Sequence, residues 1–404
     1  MLKTYKKREG YLKKINPFIN KNLIKIIIGQ RRIGKSYLIL QIIDFLKENG
    51  VSKKNILYIN KEFYEFDYIK TYINLLDYIK KYFKGIKSKK YIFIDEIQEI
   101  NNFEKALRDL QASEEYDIYC SGSNAKLLSS EIATILSGRY MEFEIYPLSY
   151  TEFLNFHNLT NSTLSFEKYI KYGGLPYLIH LELNDEVVYG YLKSIYNSIV
   201  LKDVISRYEI RNVDFFNRLV LFLAEHTGSL FSSKRISDYL KSEKISLSPS
   251  VILNYLSYLN SVFFIFQVKR LDIPGKKIFQ INEKYYFNDI GIRHSLIGYK
   301  ELDINKVLEN LVFIHLKRLG YDVKIGHLRN GIEIDFVAEK NNSRTYIQTT
   351  YIMKDEKTRT RELNSLLEIK DNYKKLLISM DPISSVNYKG IEHINITDFL
   401  TNFN

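Results

Sequence analysis

The fold of this chain is decided by one stretch of sequence, Gly29-Gln30-Arg31-Arg32-Ile33-Gly34-Lys35-Ser36. This stretch fits the pattern G-x-x-x-x-G-K-[ST]. It follows the apolar run Leu23-Ile24-Lys25-Ile26-Ile27-Ile28 and precedes apolar residues at helical spacing. A phosphate-binding loop lies between a buried strand and a helix in this way. Its glycines let backbone N–H groups approach phosphate oxygens, and the positive end of the helix attracts the same oxygens. All eight residues are therefore predicted to bind a nucleotide; the alternative is a chance match in a turn.

Two side chains of this loop have predicted chemical roles. Lys35 is expected to reach the β- and γ-phosphates, where its positive charge makes it a catalytic residue. The hydroxyl of Ser36 is expected to ligate Mg²⁺. The predicted cofactors are thus a nucleoside triphosphate and Mg²⁺.

A second strand ends in acids, in the sequence Tyr91-Ile92-Phe93-Ile94-Asp95-Glu96. Ligands of an open α/β sheet lie at the carboxyl ends of its strands. Asp95 is therefore predicted to hold Mg²⁺, and Glu96 to be the base that activates the attacking water. The alternative is a pair of surface acids at the end of a strand.

Polar residues also follow the strand Asp117-Ile118-Tyr119-Cys120, in the sequence Ser121-Gly122-Ser123-Asn124. A side chain here would lie between the loop and the acidic strand and could contact the γ-phosphate or the water. Ser123 is the first choice for this sensor role and Ser121 the second. The alternative is a helix N-cap, a position that favours Ser and Asn.

Arg139 follows a helix in the sequence Ser137-Gly138-Arg139. An arginine beyond the sensor strand is a candidate arginine finger, which would stabilise charge on the transferred phosphoryl group from the same chain or from a neighbouring subunit. An ordinary surface ion pair is the alternative.

The order of elements predicts a parallel sheet covered by helices on both faces. An extra strand lies between the loop strand and the acidic strand in sequence, and a glutamate follows Asp95. Both features resemble the catalytic-glutamate branch of P-loop ATPases, to which the AAA-type enzymes belong.

The resemblance extends to one family, the archaeal and bacterial AAA-type ATPases with a C-terminal domain of unknown function. It rests on the loop, on the acidic strand, and on four further segments, Ser121-Gly122-Ser123-Asn124, Leu136-Ser137-Gly138-Arg139, Pro147-Leu148-Ser149-Tyr150-Thr151-Glu152-Phe153 and Tyr172-Gly173-Gly174-Leu175-Pro176. It implies that the nucleotide is ATP, since no motif in the sequence specifies the base.

Four domains are predicted along the chain. They are an AAA-type P-loop ATPase core at 1–150, a helical lid at 151–205, a winged-helix domain at 206–300 and a restriction-endonuclease-like α/β domain at 301–404. The start signal Ser248-Pro249 opens the would-be recognition helix of the winged helix. Because that helix, 249–259, contains no Lys or Arg, it favours non-specific contact with duplex DNA, or packing or protein contact, over base reading.

The last predicted domain resembles the PD-(D/E)XK nuclease fold, with Glu309, Asp335 and Gln348 at the positions of the metal site. Gln348 stands where an acid is usual and Thr350 stands where a lysine is usual. Lys354 or Lys357 could supply the missing lysine. The two departures favour a degenerate nuclease kept for binding or packing.

Composition limits the remaining possibilities. The net charge of +12 is compatible with nucleic acid, although a lysine-rich surface explains it equally well. The single cysteine, Cys120, excludes an intramolecular disulfide, and no apolar run reaches transmembrane length. We therefore expect a cytoplasmic protein without a membrane partner, and an oligomer is possible.

The sequence as a whole predicts a Mg²⁺-dependent ATPase that couples its nucleotide state to a C-terminal half binding duplex DNA or a protein. Two alternatives stay open. One is an ATP-sensing binding module with little turnover, and the other is an ATP-regulated, metal-dependent nuclease.

Overall fold

The computed structural model describes residues 5–125, 134, 136, 138–242, 248–275, 277–329, 331–353, 356–382 and 385–403. The chain divides into two compact units. Unit 1 consists of Met1–Ile145 with Ser261–Phe263, and unit 2 of Tyr146–Asn260 with Phe264–Asn404.

Unit 1 is built on a five-stranded sheet in the order β2-β3-β4-β1-β5, in which every neighbouring pair is parallel. The strands are β1 (Ile24–Ile28), β2 (Ile56–Asn60), β3 (Lys90–Asp95), β4 (Tyr116–Gly122) and β5 (Tyr140–Glu144). The described helices are α1 (Glu9–Ile15), α2 (Lys35–Glu48), α3 (Tyr72–Tyr82) and α4 (Phe103–Ala112), with 3₁₀ turns at Asn16–Phe18, Lys53–Asn55, Tyr64–Phe66 and Ile97–Glu99. The predicted parallel sheet is thus confirmed.

Strands β1 and β4 are buried along their whole length. Parallel strands are covered on both faces, which is why they are continuous apolar runs rather than alternating ones. Lys25 is the exception in β1, and it forms an ion pair with Asp117 of β4 at full burial. Burial lowers the pKa of Lys25, and the charge of Asp117 opposes this shift.

Strand β4 lies between β1 and β3. The carboxyl ends of these three parallel strands therefore meet at one edge of the sheet. The loop after β1, the acids at the end of β3 and the serines at the end of β4 are brought together there.

Unit 2 contains an eight-stranded sheet in the order β12-β13-β11-β10-β9-β8-β6-β7. Its strands are β6 (Ile265–Asp272), β7 (Lys277–Phe287), β8 (Asp322–His327), β9 (Glu333–Lys340), β10 (Ser343–Thr349), β11 (Lys374–Ser379), β12 (Val386–Tyr388) and β13 (Ile391–Asn395). Its described helices are α5 (Tyr150–His157), α6 (Thr163–Tyr172), α7 (Asp185–Ser198), α8 (Val213–Glu225), α9 (Ser233–Ser242), α10 (Pro249–Ser261), α11 (Ile290–Ile297), α12 (Ile304–Arg318), α13 (Glu356–Leu367) and α14 (Ile396–Asn402). A π-helical segment (Ile199–Ile205) and one turn (Ser206–Tyr208) continue α7, and 3₁₀ turns lie at Pro176–His180 and Glu301–Asp303.

The hairpin β6–β7 belongs to the same sheet as the strands of the last hundred residues. Strand β6 pairs with β8 in parallel, with Arg270 opposite Ile325, and pairs with β7 in antiparallel. The sheet therefore crosses the predicted boundary at 300/301, and the predicted wing is joined to the C-terminal strands. Helix α12 packs in the apolar core on this sheet, where Val307, Leu308 and Val312 are buried.

Within the described residues, we find no helix with the length and apolar content needed to cross a membrane. Cys120 is buried in β4 as a free thiol.

Candidate functional site

The loop between β1 and α2 requires glycine at its two ends. Gly29 has φ +146°, and a Cβ there would lie 2.4 Å from the carbonyl oxygen of Ile145. Gly34 has φ +95° immediately before the first residue of α2. Side chains are strained in this region of φ. The backbone geometry therefore explains both glycines of the sequence pattern.

Lys35 lies inside this loop rather than at its surface. Its ammonium donates hydrogen bonds to the carbonyl oxygens of Gly29, at 2.9 Å, and Gln30, at 3.0 Å. The residue is 4% exposed. The loop thus holds a buried positive charge at the N-terminus of α2, where an anion is also favoured by the helix dipole.

The other loop residues differ in their exposure. Arg31 is buried and lies 3.4 Å from Glu62, whereas Arg32 is exposed with φ +70°. Ile33 is buried, and its carbonyl oxygen accepts a hydrogen bond from Arg8 at 3.2 Å. Ser36 is half-buried in the first turn of α2. Gln30 is fully buried, and its amide has no hydrogen-bond partner among the described residues.

Asp95 ends β3 and is 1% exposed. The hydroxyl of Ser121 donates a hydrogen bond to its Oδ1, and the hydroxyl of Tyr58 donates to its Oδ2 at 3.2 Å. Both carboxylate oxygens are therefore held in place by neutral donors, which orient the group without neutralising its charge.

Glu96 follows Asp95 with φ +55°, so the chain turns sharply at the edge of the sheet. Its N–H donates to Ser121 Oγ at 3.3 Å. Its Oε2 accepts hydrogen bonds from Ser123 Oγ, at 3.3 Å, and from the Gln98 side-chain amide.

The environment of Glu96 favours its ionised form. Burial raises the pKa of Glu96, but the positive charge of Lys35 and the hydrogen bond from Gln98 reverse this, and the pKa lies below its ordinary value. The residue is 8% exposed. A buried carboxylate that stays ionised can accept a proton from a nearby water.

Arg139 lies at the edge of this sheet opposite the loop. It precedes β5, and the first residue of β5, Tyr140, is opposite Ile24 at the start of β1. The loop begins after Ile28, about 13 Å further along the strand at 3.3 Å per residue. Arg139 is exposed and donates to Gln111 at 3.2 Å. The role of arginine finger stays a prediction for this residue.

The comparisons with known proteins agree with this geometry. A family model described as an AAA domain matches residues 21–154, and a domain of unknown function matches residues 163–303. An uncharacterized protein of Haemophilus influenzae is 38% identical over 406 residues, covering 99% of this chain and all of that protein. The chain belongs to this family of AAA-domain proteins. An uncharacterized protein of Methanocaldococcus jannaschii is 32% identical over 392 residues, covering 93% of this chain and 85% of that protein.

Among solved structures, a Walker-type ATPase of Pyrococcus abyssi is similar to this AAA-domain protein with a TM-score of 0.48 and 14% identity. The match covers 74% of this chain and 99% of that one. The matched domain of unknown function covers most of the predicted lid and all of the predicted winged helix, and it ends just before α12.

Sequence reasoning missed three residues of unit 1 that contact the predicted site. Tyr58 binds Asp95, Glu62 faces Arg31, and Asn60 accepts the N–H of Glu62 at 2.9 Å. Tyr58 lies within β2, Asn60 ends it and Glu62 follows it, and β2 neighbours β3. The signal was present, because polar residues end this strand as they end β3 and β4, but its use required the strand order.

The three residues predicted at the nuclease-like site of this AAA-domain protein are brought together only in part. Asp335 donates its N–H to Gln348 Oε1 at 3.3 Å. Glu309 is held instead by Lys284, whose ammonium lies 2.6 Å from its Oε1. Among the described residues, no three His, Cys, Asp or Glu side chains are arranged to hold a metal ion.

The lysine near these acids is therefore Lys284, which sequence reasoning did not consider. Of the two lysines that it did consider, Lys354 lies outside the described residues and Lys357 is exposed on α13. Lys284 is distant in sequence from the acids, and only the pairing of the hairpin β6–β7 with the C-terminal strands brings it there.

Proposed function

We propose that this AAA-domain protein binds ATP with Mg²⁺ at the loop Gly29–Ser36 and hydrolyses its γ-phosphate. The observation that carries the proposal is Glu96, a buried and ionised carboxylate whose Oε2 accepts a hydrogen bond from Ser123. A protein that only senses ATP has no need of such a base. The choice of ATP over other nucleotides rests on the family alone.

The loop is arranged to bind the phosphates. Its backbone N–H groups and the N-terminus of α2 favour anionic oxygens. The ammonium of Lys35 donates hydrogen bonds to the carbonyl oxygens of Gly29 and Gln30. An anionic phosphate oxygen is a stronger partner than a neutral carbonyl, so the ammonium is expected to turn to the β- and γ-phosphates when ATP binds.

The residues near the loop fit Mg²⁺, which prefers oxygen ligands and keeps several waters. The hydroxyl of Ser36 and the carboxylate of Asp95 would hold the ion. Ser121 and Tyr58 fix the orientation of Asp95 for this purpose. When bound, Mg²⁺ would neutralise charge that develops on the phosphate oxygens.

Glu96 would accept the proton of the water that attacks the γ-phosphate. Ser123 holds one of its carboxylate oxygens and leaves the other to the water. Ser121 contacts both the Asp95 carboxylate and the N–H of Glu96, so it links the metal ligand to the base. Arg139 of a second chain is our candidate for an arginine that stabilises the transition state.

The nucleotide state is proposed to control unit 2, which would bind duplex DNA without sequence preference, or a protein. The net charge of +12 supports the DNA alternative. Affinity for a random duplex, measured across a salt series, distinguishes the two. Affinity that falls steeply with salt supports DNA, and no measurable binding at low salt supports a protein partner.

The direct test of this function is ATP binding and phosphate release by the wild-type chain and by Lys35→Ala. Lys47→Ala is the matched control, since Lys47 lies on the same helix and is exposed. We expect turnover in the wild type and the control, and loss of ATP binding in Lys35→Ala. A wild-type chain that binds ATP without turnover supports the sensing module, and unchanged binding by Lys35→Ala contradicts the proposal.

A further inference from the structure

Lys284 of β7 is a buried lysine that contacts two carboxylates. Among the described residues of unit 2, no other lysine with two such contacts is as deeply buried. Its ammonium lies 2.6 Å from Glu309 Oε1, on α12, and 2.7 Å from Glu333 Oε1, on β9. Only 4% of its side chain is exposed. Two acids from two different elements therefore converge on one cationic atom.

A third acid and a hydroxyl complete this cluster, which we call the Lys284 cluster (Lys284, Tyr286, Glu309, Glu333 and Asp335). Asp335 lies two residues after Glu333 on β9, so the two side chains share one face of the sheet. Tyr286 donates to Glu309 Oε1 at 2.5 Å. Burial raises the pKa of Asp335 well above its usual value, and the charge of Glu309 adds to this effect.

A buried group of carboxylates requires a cation, since unpaired buried charge is strongly unfavourable. Protein carboxylates bind Mg²⁺ or Ca²⁺ with metal–oxygen distances of about 2.0–2.6 Å. The oxygens of Glu309 and Glu333 stand 2.6 and 2.7 Å from the nitrogen of Lys284. The ammonium thus lies at the point where a divalent ion would contact the same two oxygens.

The residues of the neighbouring strand β10 that contact Asp335 are uncharged, which fits a cluster whose internal cation carries a single charge. Gln348 uses its carbonyl oxygen to accept the N–H of Asp335 and its amide to bind Glu362 at 3.1 Å, so it adds no charge to the cluster. The N–H of Thr349 satisfies Asp335 Oδ2 at 2.7 Å. The carboxylate of Asp335 is therefore held by a neutral backbone donor rather than by a further cation.

We propose that Lys284 is a built-in cation that occupies this carboxylate cluster in place of a divalent metal ion. Loss of its charge opens the cluster to such an ion. The hairpin β6–β7 joins the C-terminal strands in one sheet, and this pairing places Lys284 next to the acids. This role is independent of ATP hydrolysis in unit 1.

The test measures Mn²⁺ binding by the full chain without nucleotide, with free Mn²⁺ followed by electron paramagnetic resonance. All proteins carry Asp95→Asn, which removes the proposed metal ligand of unit 1. The variants are Lys284→Met, Lys284→Gln and the double variant Lys284→Met with Glu309→Gln. Lys375→Met is the control, because Lys375 lies in the same sheet and binds the carbonyl oxygen of Ile369.

We expect Lys284→Met and Lys284→Gln to bind Mn²⁺ about tenfold or more tightly than the parent protein. Glu309→Gln should cancel this gain, and Lys375→Met should show none. Equal Mn²⁺ affinity in the parent and in both Lys284 variants would overturn the proposal.

A second comparison does not depend on the folding of the Lys284 variants. The parent protein and its Glu309→Gln variant should bind Mn²⁺ equally, since Lys284 already fills the cluster. A loss of Mn²⁺ binding on Glu309→Gln would show that the cluster holds metal with Lys284 present, and would overturn the proposal. Recovery of folding in Lys284→Met on addition of Mn²⁺ would support it.

Discussion

Ser123, at the end of β4, donates a hydrogen bond across 3.3 Å to Oε2 of Glu96, which follows β3. The two residues directly follow neighbouring parallel strands, and both are buried. The serine fixes the side chain that we propose as the base. This contact links the fold of the sheet to the proposed chemistry.

The first prediction concerns this contact. Ser123→Ala should lower ATP turnover by about tenfold to a hundredfold, because Glu96 loses one of the donors that orient it. ATP affinity should change by less than about threefold, since the hydroxyl does not bind the phosphates directly. Ser52→Ala, at an exposed turn without a side-chain cap, is the control. Equal loss of binding and turnover would place Ser123 on the nucleotide instead.

The second prediction concerns Arg139. Because it lies at the edge of the sheet opposite the loop, Arg139→Ala should leave ATP affinity unchanged. Phosphate release should fall only under conditions in which chains associate. Mixing Arg139→Ala with Glu96→Gln should then restore turnover, since each chain supplies what the other lacks. A loss of turnover in isolated chains that mixing does not restore would contradict the geometry.

The third prediction concerns the buried ion pair in unit 1. Lys25→Met leaves Asp117 buried without its cation, and we expect a loss of about 3–5 kcal/mol in the free energy of unfolding. Adding Asp117→Asn should recover part of this loss, because the uncompensated charge is removed. Denaturant titrations of both variants measure the effect. A Lys25→Met variant as stable as the wild type would show that the ion pair is not formed.

The fourth prediction concerns two histidines of unit 2. Burial lowers the pKa of His294 to about 4 and that of His315 to about 3, with nearby Arg293 and Arg318 adding to the effect. Both are therefore neutral in the folded state. Their stabilising contribution is complete above the unfolded pKa of about 6.5 and is lost as the pH falls towards the folded value.

As the pH falls from 7 to 5, each histidine should lower the free energy of unfolding by roughly 2 kcal/mol. Asp289 has the opposite effect on stability. Burial raises its pKa to about 6, so the cost of burying its ionised carboxylate decreases as the pH falls. His315→Gln should therefore reduce the pH dependence of stability without removing it. If the free energy of unfolding of His315→Gln changed with pH as steeply as that of the wild type, the expected pKa shift of His315 would be contradicted.

The residues of the proposed ATP site could be predicted because their signals are local. The loop pattern, the acids after Tyr91-Ile92-Phe93-Ile94, and the serines after β4 each follow an apolar run of strand length. The parallel arrangement then brings them to one edge. The same reasoning reached the helix at Pro249, where Ser248-Pro249 marks the start.

The sequence did not reveal which strands that are distant along the chain pair with one another. The contact of Tyr58 with Asp95 depends on β2 lying next to β3, and the place of Arg139 depends on the parallel pairing of β5 with β1. The contact of Lys284 with Glu309 depends on the pairing of β6 with β8. Strand β6 begins at Ile265, inside the apolar run 262–266, because Phe263 adopts a φ of +56° and interrupts that run.

The central claim is that Glu96 is the base of an ATPase, and one comparison tests it most directly. ATP affinity and phosphate release are measured for the wild type, for Glu96→Gln, and for Glu99→Gln, which makes the same change at an exposed glutamate three residues away. We expect Glu96→Gln to keep its ATP affinity and to lose at least about a hundredfold in turnover, while Glu99→Gln resembles the wild type. Turnover retained by Glu96→Gln would contradict the account.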